Sequence, residues 1–413
     1  MNDIIIIGGG IAGLYTFYQL QRKYKSKNIK IKLFEKENYF GGRILTLKKH
    51  INNHDYQFEG GAGRLNSKHI LFLKLIYQLK LKKELIKISG KSEFIPTHGK
   101  YKSFKYKKAS TYIDKVIKQG LKENQETLIQ YTFTEYAHTL LTSKEVDFIL
   151  NSYGYYGELF YENAYDAIKI FNEGIRSDID YYILKNGFSS VIEHLLENII
   201  HNKGKLYLNS ELKSIHRTKN GYELKINNSI FKTKKIILAL PKPALLNIDY
   251  LRSYTKELNS IQCKELCRIY SIFSNVWFNK IKKTTTNNKL RFIIPIDKEN
   301  GLIMSSYTDS KYARFWKKYI KKSKDELSIE LVKQLKEVFN VPIEYPIYNI
   351  ICYWNCGVGF WKKKINSDHM SKKILQLNTH EDIFIVGENY SKTQGWVEGA
   401  LETVETLIKI MKI

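Results

Sequence analysis

The first 35 residues of the chain contain the pattern that most constrains its fold. A short apolar run, Ile4 to Ile7, leads directly into the sequence GGGIAG at 8–13, and an amphipathic segment follows. A second apolar run ends at Glu35, about 20 residues after the last of these glycines. This order predicts a βαβ unit that binds a dinucleotide, because it places a glycine turn between a strand and a helix and an acidic residue at the end of the second strand.

Each glycine of this motif has a separate role in a dinucleotide site. Gly8 allows a tight turn, Gly10 lets the backbone approach a pyrophosphate, and Gly13 permits close packing of the helix against the strand. The helix directs its unpaired N–H groups at the diphosphate, and Glu35 would bind the adenosine ribose hydroxyls. The predicted cofactor contacts of this unit also include three neighbouring residues, Ile11, Ala12 and Lys36.

Composition excludes several broad classes of protein. The chain has 413 residues, of which 43% are hydrophobic, a fraction typical of globular proteins and not of disordered or fibrous ones. No apolar run approaches the roughly 20 residues that span a bilayer. The isoleucine run after Asp3 ends in glycines and not in a cleavage site. We therefore expect a soluble protein of the cytoplasm or of a virion, without a transmembrane segment.

The formal charge of +26 suggests a nucleic-acid partner at first sight. Of the 67 basic residues, however, only nine are arginine, whereas proteins that bind phosphates favour the bidentate arginine fork. Lysine-rich runs such as 280–283 and 362–364 are therefore predicted to be solvated surface. Net charge by itself permits non-specific attraction to polyanions but indicates no specific nucleic-acid partner.

Four cysteines are too few for a disulfide framework in a chain of 413 residues, and reduced thiols are the simplest expectation. The spacings Cys263-x3-Cys267 and Cys352-x3-Cys356 permit a zinc hypothesis. Structural zinc sites more often have two residues between their ligands. Both pairs also lie in strand-like, aromatic-rich segments, where buried thiols are common. We therefore predict no metal site.

Apolar periodicity divides the chain into strand-rich ends and a helical middle. Helical patterns occupy 67–85 and 111–200, whereas 205–240 and 266–305 have the patterns of strands. Separate helices are predicted at 113–121, 144–151, 189–201, 324–339 and 397–411. A discontinuous nucleotide-binding domain is therefore interrupted by a second, substrate-binding domain with a helical subdomain. The predicted nucleotide-binding domain consists of 1–66, 202–248 and 378–413, and the substrate-binding domain of 67–201 and 249–377.

Further motifs lie outside the first βαβ unit. A diglycine and an arginine occupy 41–43, and the C-terminal stretch combines a Gly-Glu pair at 387–388 with the turn GWVEGA at 395–400. Together these motifs resemble the signature of the flavin-containing amine oxidase superfamily, which includes monoamine oxidases, polyamine oxidases and L-amino-acid oxidases. The segments 206–215 and 237–241 also resemble strands of this family.

The resemblance implies an α/β protein with a discontinuous, Rossmann-like FAD-binding domain and an inserted α+β substrate domain, as in monoamine oxidases. It implies FAD and not NAD, because nicotinamide dehydrogenases lack the second diglycine. Cys356 does not match the position through which some monoamine oxidases bind flavin, so we expect non-covalent FAD. The family positions that contact FAD fall on Gly42, Arg43, Gly61, Ala62, Leu212, Gly387, Glu388, Trp396 and Val397.

The resemblance also indicates substrate contacts. Arg64 matches the arginine that binds the substrate carboxylate in L-amino-acid oxidases, although Gly63 replaces a methionine usual there; a structural ion pair is the alternative role. Trp396 matches an aromatic residue that orients the amine, with packing in the flavin pocket as the alternative. The second aromatic residue is expected among three neighbours, first Trp361 and otherwise Phe360 or Trp354.

One position departs from the family pattern. The family usually has a lysine ten residues before an aromatic corner, and aligning that corner with Phe278 places Arg268 at the lysine position. An arginine stays protonated and donates several hydrogen bonds in one plane. It would therefore order a water molecule in a different geometry, unless Lys264 supplies the amine of the family instead.

These residues predict an FAD-dependent oxidase of a primary or secondary amine or an L-amino acid. A hydride would pass from the substrate to flavin N5, and O₂ would reoxidise the flavin to give H₂O₂. The expected partners are a small amine or amino-acid substrate and O₂, and the sequence permits a homodimer. Two alternatives stay open: a flavin desaturase or dehydrogenase acting on a non-amine, and an FAD-bound scaffold without turnover.

Overall fold

The computed structural model describes residues 1–27, 29–97, 101, 108–174 and 179–412. The strands are β1 Asn2–Ile7, β2 Ile31–Phe34, β3 Thr46–Ile51, β4 His54–Glu59, β5 Leu65–Asn66, β6 Leu85–Ile88, β7 Glu93–Phe94, β8 Tyr181–Leu184, β9 Lys205–Tyr207, β10 Leu212–Thr218, β11 Gly221–Ile226, β12 Ser229–Leu238, β13 Ile261–Ile272, β14 Thr284–Thr285, β15 Phe292–Asp297, β16 Leu302–Asp309, β17 Tyr348–Trp361 and β18 Ile383–Ile385. The helices are α1 Ile11–Lys23, α2 Ile70–Gln78, α3 Ala109–Gly120, α4 Gln125–Leu128, α5 Phe133–His138, α6 Ser143–Ser152, α7 Gly157–Phe160, α8 Ala164–Gly174, α9 Ser189–His201, α10 Lys242–Leu246, α11 Thr255–Leu258, α12 Ser310–Lys317, α13 Lys324–Phe339, α14 Ser367–Leu375 and α15 Val397–Ile410. Within these described ranges, no helix combines the length and the apolar character that crossing a bilayer requires.

The N-terminal isoleucine run lies at the centre of a seven-stranded sheet. β1 pairs in parallel with β2 on one side and with β12 on the other. The order is β10-β11-β12-β1-β2-β9, and β18 also pairs with β12. Ile4 and Ile6 enter one hydrophobic cluster, whereas Ile5 and Ile7 enter another. A parallel strand covered on both faces has no polar side, which explains the unbroken isoleucines.

The strands of this sheet come from separate stretches of the chain. β1 and β2 are N-terminal, β9 to β12 lie within 205–238, and β18 comes near the C-terminus. Helices α1, α9 and α15 contribute to the same hydrophobic cluster on one side of the sheet. The α/β fold predicted from the sequence is confirmed, and the proposed domain boundaries stay a prediction.

The second large sheet is built on two long strands, β13 and β17, which pair antiparallel. Its order is β17-β13-β16-β15-β14-β7. Helices α12 and α13 pack on it through a core that includes Trp316. α13 has the predicted bounds, because Ser323 and Glu326 form a capping box at its start. This sheet matters for the site because β13 and β17 carry several of the candidate residues.

Helices α3 to α8 enclose a hydrophobic core of their own. The prediction of helices throughout 111–200 is wrong at β8, which pairs with β5 and β6 in a three-stranded sheet. The hairpin of β3 and β4 was also not predicted. It places the backbone of Glu59 beside β13, where the carbonyl oxygen of Glu59 accepts a hydrogen bond from Arg268.

Cys263 on β13 and Cys356 on β17 are joined by a disulfide, so the expectation of four reduced thiols is wrong. The two strands are neighbours, and their register shifts between Lys264 and Leu266. Cys267 and Cys352 remain as buried free thiols. The bonded cysteines are 93 residues apart in sequence, so only the pairing of the two strands reveals them as partners.

We expect removal of this disulfide to lower the stability of the fold. The crosslink joins residues separated by 93 positions, and such a link typically contributes about 2–4 kcal/mol by restricting the unfolded chain. The double variant Cys263→Ser/Cys356→Ser should lose about that much free energy of unfolding in urea without reductant. Reductant should lower the stability of the wild type to the level of the variant and leave the variant unchanged. Equal stabilities without reductant would contradict the prediction.

Candidate active site

The glycine turn after β1 combines two features that a dinucleotide site requires, close packing of the helix against the strand and open space beside the backbone. Gly8 has a φ of +105°, and a Cβ on Gly13 would lie 1.9 Å from the Gly8 carbonyl oxygen. These two glycines therefore serve the turn and the close packing of α1. A Cβ on Gly10 would approach nothing closer than 3.8 Å, the carbonyl oxygen of Gly41. The backbone of Gly10 therefore borders open space.

Glu35 follows β2 beside this turn. Its Oε2 accepts a hydrogen bond from the backbone N–H of Gly9 at 2.6 Å, and its Oε1 accepts one from the N–H of Glu37 at 2.9 Å. The carboxylate is therefore held in a fixed position next to the glycine turn. Lys36 is exposed and forms an ion pair with Glu37.

An ion pair between Arg43 and Glu388 joins distant parts of the chain. Their side chains approach to 2.7 Å, and Arg43 also donates to the carbonyl oxygen of Gly357 at 2.8 Å. The other oxygen of Glu388 accepts hydrogen bonds from the N–H groups of Gly395 at 2.7 Å and Gly359 at 3.2 Å. Segments near both ends of the chain and from β17 therefore meet at one carboxylate.

The glycines around this ion pair leave room for a ligand. A Cβ on Gly387 would meet no atom within 4 Å, and one on Gly395 would meet only Val358, at 3.4 Å. There is open space beside Gly10, Gly387 and Gly395, and the carboxylate of Glu35 is held next to the glycine turn. This arrangement fits a flavin dinucleotide. The other predicted contacts occupy element starts or turns: Ile11 and Ala12 begin α1, Gly42 precedes Arg43, Gly61 and Ala62 follow β4, Leu212 begins β10 and Val397 begins α15.

Arg64 lies among aromatic rings. Its Nη2 donates to the hydroxyl of Tyr155 at 2.7 Å, and its guanidinium lies 5.9, 5.1 and 5.5 Å from the ring centres of Tyr155, Tyr181 and Trp396. Protein groups surround the side chain, which keeps part of its surface accessible, and we call the residues around it the candidate substrate pocket. Among the described residues, no carboxylate forms an ion pair with it. A desolvated guanidinium without an acidic partner is unfavourable and fits an anionic ligand.

Trp396 is the N-cap residue of α15 and contacts His69. The two ring centres are 4.6 Å apart. Burial, and then the charge of Arg64, lower the pKa of His69 to about 3, so its ring is neutral at physiological pH. Its Nδ1 accepts a hydrogen bond from the backbone N–H of Asn66 at 3.2 Å. His69 therefore supports Trp396 and is not placed to act as a physiological base.

Arg268 belongs to the same pocket. Its Nη1 donates to the carbonyl oxygen of Glu59 at 3.1 Å, and its guanidinium lies 4.5 Å from the ring centre of Tyr307. The ring of Tyr307 packs edge-on against that of Tyr155 at 5.5 Å, so Arg64 and Arg268 contact one pair of tyrosines. In the described part of the chain, the Nε of Arg268 has no hydrogen-bond partner.

The structure does not bring three other predicted residues into this pocket. The Nζ of Lys264 lies 3.5 Å above a tyrosine ring and does not replace Arg268. Trp361 is fully buried, with its indole N–H bonded to a backbone carbonyl oxygen at 2.9 Å. Phe360 is also buried. Trp354 keeps accessible surface and donates to the carbonyl oxygen of Gly60 at 2.7 Å, which makes it the better candidate for the second aromatic residue.

Two titratable residues coupled to Arg64 were not predicted from the sequence. Burial, and then the charge of Asp309, raise the pKa of Glu158 to about 8. Burial, and then the charge of Arg64, lower the pKa of Lys283 to about 7. Of the run 280–283 predicted to be solvated surface, Lys280 and Lys282 are exposed, whereas Lys283 keeps only part of its surface accessible. Neither residue belongs to a motif, because only the packing of α7 and of the second sheet brings them here.

The family model described as flavin containing amine oxidoreductase matches residues 11–404. The chain belongs to this family. An uncharacterised family relative, a protein of Acanthamoeba polyphaga mimivirus, is 22% identical over 489 aligned residues, which cover 98% of this chain and 93% of that protein. Achacin of Lissachatina fulica is 23% identical over 499 residues, which cover 98% of this chain and 92% of achacin.

Solved structures with the same fold match this chain over nearly its whole length. A cofactor-binding variant of putrescine oxidase superposes with a TM-score of 0.77 at 13% identity and covers 98% of both chains. A candidate protoporphyrinogen oxidase from Exiguobacterium sp. superposes with a TM-score of 0.74 at 15% identity, over 99% of this chain and 98% of that one. The predicted family is confirmed, and the protein is a flavin-dependent oxidoreductase of the amine oxidase family.

Proposed function

We propose that the protein is an FAD-dependent oxidase of amines that carry a carboxylate, with L-amino acids as the simplest substrates. Arg64 is the observation that carries this proposal. It is partly buried, and among the described residues its hydrogen-bond and cation–π partners are a tyrosine hydroxyl and aromatic rings, with no carboxylate in an ion pair. A carboxylate can accept two parallel hydrogen bonds from a guanidinium and neutralise its charge.

The residues around the glycine turn would hold FAD. The backbone at Gly10 would approach the diphosphate, Glu35 would bind the ribose hydroxyls, and the pair of Arg43 and Glu388 would lie beside the ribityl chain. When bound, FAD supplies the acceptor for the substrate hydride and passes the electrons to O₂. Cys356 is engaged in the disulfide, which supports non-covalent binding because its sulfur is not free to attach a flavin.

The chain itself contributes orientation and exclusion of water. Arg64 would hold the carboxylate, and the face of Trp396 would orient the amine beside it. Tyr155, Tyr181 and Tyr307 surround the guanidiniums with hydroxyl groups and ring faces. In such an enclosed pocket an ion pair with the substrate is stronger than in water.

A flavin dehydrogenase or desaturase acting on a non-amine is the second candidate, and Arg268 favours it. When the aromatic corner of the family is aligned with Phe278, Arg268 falls at the position of the family lysine, and an arginine cannot deprotonate. Together with Arg64 it gives the pocket two permanent positive charges, which suits a substrate with more than one carboxylate. A scaffold role without turnover is the remaining alternative.

The test is anaerobic reduction of the bound flavin, followed by its absorbance in a stopped-flow instrument. The probes are L-leucine, L-phenylalanine, phenethylamine and spermidine. If Arg64 recognises a carboxylate, the two amino acids should reduce the flavin at least about tenfold faster than the two simple amines, a difference of ~1.4 kcal/mol. Faster reduction by the simple amines would contradict the amino-acid proposal. No reduction by any probe would favour a non-amine substrate or the scaffold role.

A further inference from the structure

The disulfide of Cys263 and Cys356 lies beside the carboxylate that joins the candidate cofactor site. The sulfur of Cys263 is 3.7 Å from the side-chain oxygen of Asn389, and the sulfur of Cys356 is 3.5 Å from the same oxygen. The amide nitrogen of Asn389 donates to Oε2 of Glu388 at 2.7 Å, and Arg43 donates to that oxygen at 2.7 Å as well. A single side chain therefore connects the disulfide to the ion pair.

The amide of Asn389 is held in one orientation by its neighbours. Its Oδ1 accepts a hydrogen bond from the backbone N–H of Lys242 at 3.0 Å, and its Nδ2 supplies a donor to the carboxylate of Glu388, which can only accept. Asn389 and Glu388 are only 2% and 6% exposed, so solvent does not readily replace a contact that is lost. A displacement of Asn389 would leave the buried carboxylate with one donor fewer.

The disulfide also lies where the pairing of β13 with β17 is irregular. Between Lys264 and Leu266 the register shifts, because β13 has one residue there and β17 has three, at 355–357. An irregularity of this kind leaves residues outside the regular ladder of hydrogen bonds. Within it, the carbonyl oxygen of Gly357 accepts a hydrogen bond from Arg43 at 2.8 Å. The disulfide therefore crosslinks the segment of β17 that contacts Arg43 and that the ladder holds least.

The crosslinked cysteines are the accessible ones. Cys263 and Cys356 each keep part of their surface accessible, and Asn355 beside Cys356 is exposed. The free thiols of Cys267 and Cys352 are buried. A reductant in solution therefore reaches the disulfide from the side of residue 355.

We propose that this disulfide positions Glu388 for FAD and makes retention of the cofactor depend on the redox state of the protein. The inference rests on the FAD site of the proposed function and not on the choice of substrate. On reduction the S–S bond breaks, each sulfur takes up one electron and one proton, and a dithiol reductant becomes its own disulfide. The two thiols cannot stay at bonding distance, so the sulfurs separate against Asn389, and residues 355–357 are no longer tied to β13. The contacts that hold Glu388 and Arg43 are thereby weakened.

Cofactor binding and the disulfide are coupled in both directions. If the oxidised protein binds FAD more tightly than the reduced protein, FAD makes the disulfide harder to reduce by the same factor. This reciprocity concerns binding equilibria and requires no turnover. The coupling is therefore measurable from the side of the cofactor and from the side of the thiols.

The first measurement is the FAD affinity of the oxidised and the reduced wild type. FAD-loaded protein, untreated or reduced with dithiothreitol and then freed of it without air, is diluted in steps, and the recovery of flavin fluorescence gives the Kd. We expect reduction to weaken binding at least about tenfold, or ~1.4 kcal/mol, while circular dichroism stays unchanged. Equal affinities would overturn the proposal and leave the FAD site intact. An oxidised protein that binds no FAD would refute the FAD site and the proposal with it.

The reciprocal measurement counts thiols. Protein with and without saturating FAD is equilibrated with dithiothreitol of increasing reducing strength, and free thiols are alkylated and assigned by mass spectrometry. FAD should shift the midpoint for Cys263 and Cys356 toward more reducing conditions by the factor found for the affinities. A midpoint that does not respond to FAD would overturn the proposal.

Asn389→Leu tests the route of the coupling. Leucine is of similar size but cannot donate to Glu388, so the oxidised variant should bind FAD more weakly, and reduction should weaken it much less than it weakens the wild type. This non-additivity distinguishes contact through Asn389 from a general loss of stability. A response as large as that of the wild type would overturn the role of Asn389. If the variant does not fold, the thiol measurement on the wild type still decides the coupling.

Cys267→Ala is the matched control. It removes a thiol from the same strand and leaves the disulfide in place. Its FAD affinity and its response to reduction should equal those of the wild type. A loss of the response in Cys267→Ala would assign the redox dependence to the wrong cysteines and overturn the proposal.

Discussion

Gly10→Val should fold but purify without flavin. A Cβ at this position would have 3.8 Å to its nearest neighbour, so the protein itself tolerates a small side chain. The methyl groups of valine would instead occupy the open space where the diphosphate approaches the turn. We expect FAD affinity to fall at least about 100-fold, or ~3 kcal/mol. The measurements are the ratio of flavin to protein absorbance after refolding with FAD, and circular dichroism of the same sample.

Substitution of a second glycine distinguishes loss of the cofactor from loss of the fold. In Gly13→Ala the new Cβ would lie 1.9 Å from the carbonyl oxygen of Gly8, so α1 has to move and stability should fall.

Glu35→Gln should fold and retain less FAD, because the amide weakens the charge-assisted bonds to the ribose by roughly 1.5–3 kcal/mol. Wild-type flavin content in Gly10→Val would contradict the assigned diphosphate site.

Acid precipitation of the wild type should release its flavin into solution, and flavin that stays on the chain would contradict non-covalent binding.

Arg64→Met should abolish the preference for amino acids. A desolvated charge pair broken on one side typically costs about 3–5 kcal/mol, so reduction of the flavin by L-leucine should slow at least ~100-fold. Phenethylamine and spermidine have no carboxylate, and their rates should change little. Methionine keeps much of the side-chain volume and the contact with Trp396. The rate of anaerobic flavin reduction at saturating and at low substrate concentration is the measurement.

Arg217→Met provides a matched control, because that arginine is 56% exposed and pairs with Glu381 at the surface. Its kinetics should equal those of the wild type. If Arg64 serves only to support the structure, Arg64→Met should lose flavin or thermal stability and slow all four probes equally. That result would remove the amino-acid proposal and leave the flavin-dependent family assignment intact.

Local patterns in the sequence predicted the strand, glycine turn and helix of the first βαβ unit correctly, and the contacts of these residues with FAD stay a prediction. The turn at 8–13 and Glu35 are close in sequence, and their spacing reflects one compact βαβ unit. Helices such as α9 and α13 also have the predicted bounds, since apolar periodicity and caps are local properties. The disulfide of Cys263 with Cys356 was missed because it depends on the register of two strands that are distant in sequence.

Candidate substrate contacts were predicted only where a family motif marks them, and their roles stay predictions. Arg64, Arg268 and Trp396 adjoin recognisable motifs, and the structure brings the two arginines to one pair of packed tyrosines, with Trp396 beside Arg64. Glu158 lies on α7 and Lys283 directly before β14, and neither segment contains such a motif. Their altered pKa values result from burial by neighbouring elements. Burial of this kind depends on tertiary packing, which periodicity does not predict.

The ion pair of Arg43 with Glu388 has a consequence for biosynthesis. While the ribosome is still translating, the glycine turn and Arg43 emerge early, but Glu388 and β18 are among the last parts to be made. The nascent chain therefore holds the glycine turn long before the carboxylate that pairs with Arg43. If these residues bind FAD as proposed, we expect the cofactor to be captured only after translation of this region, and a chain that stops before Glu388 should contain every glycine of the fingerprint and retain no FAD.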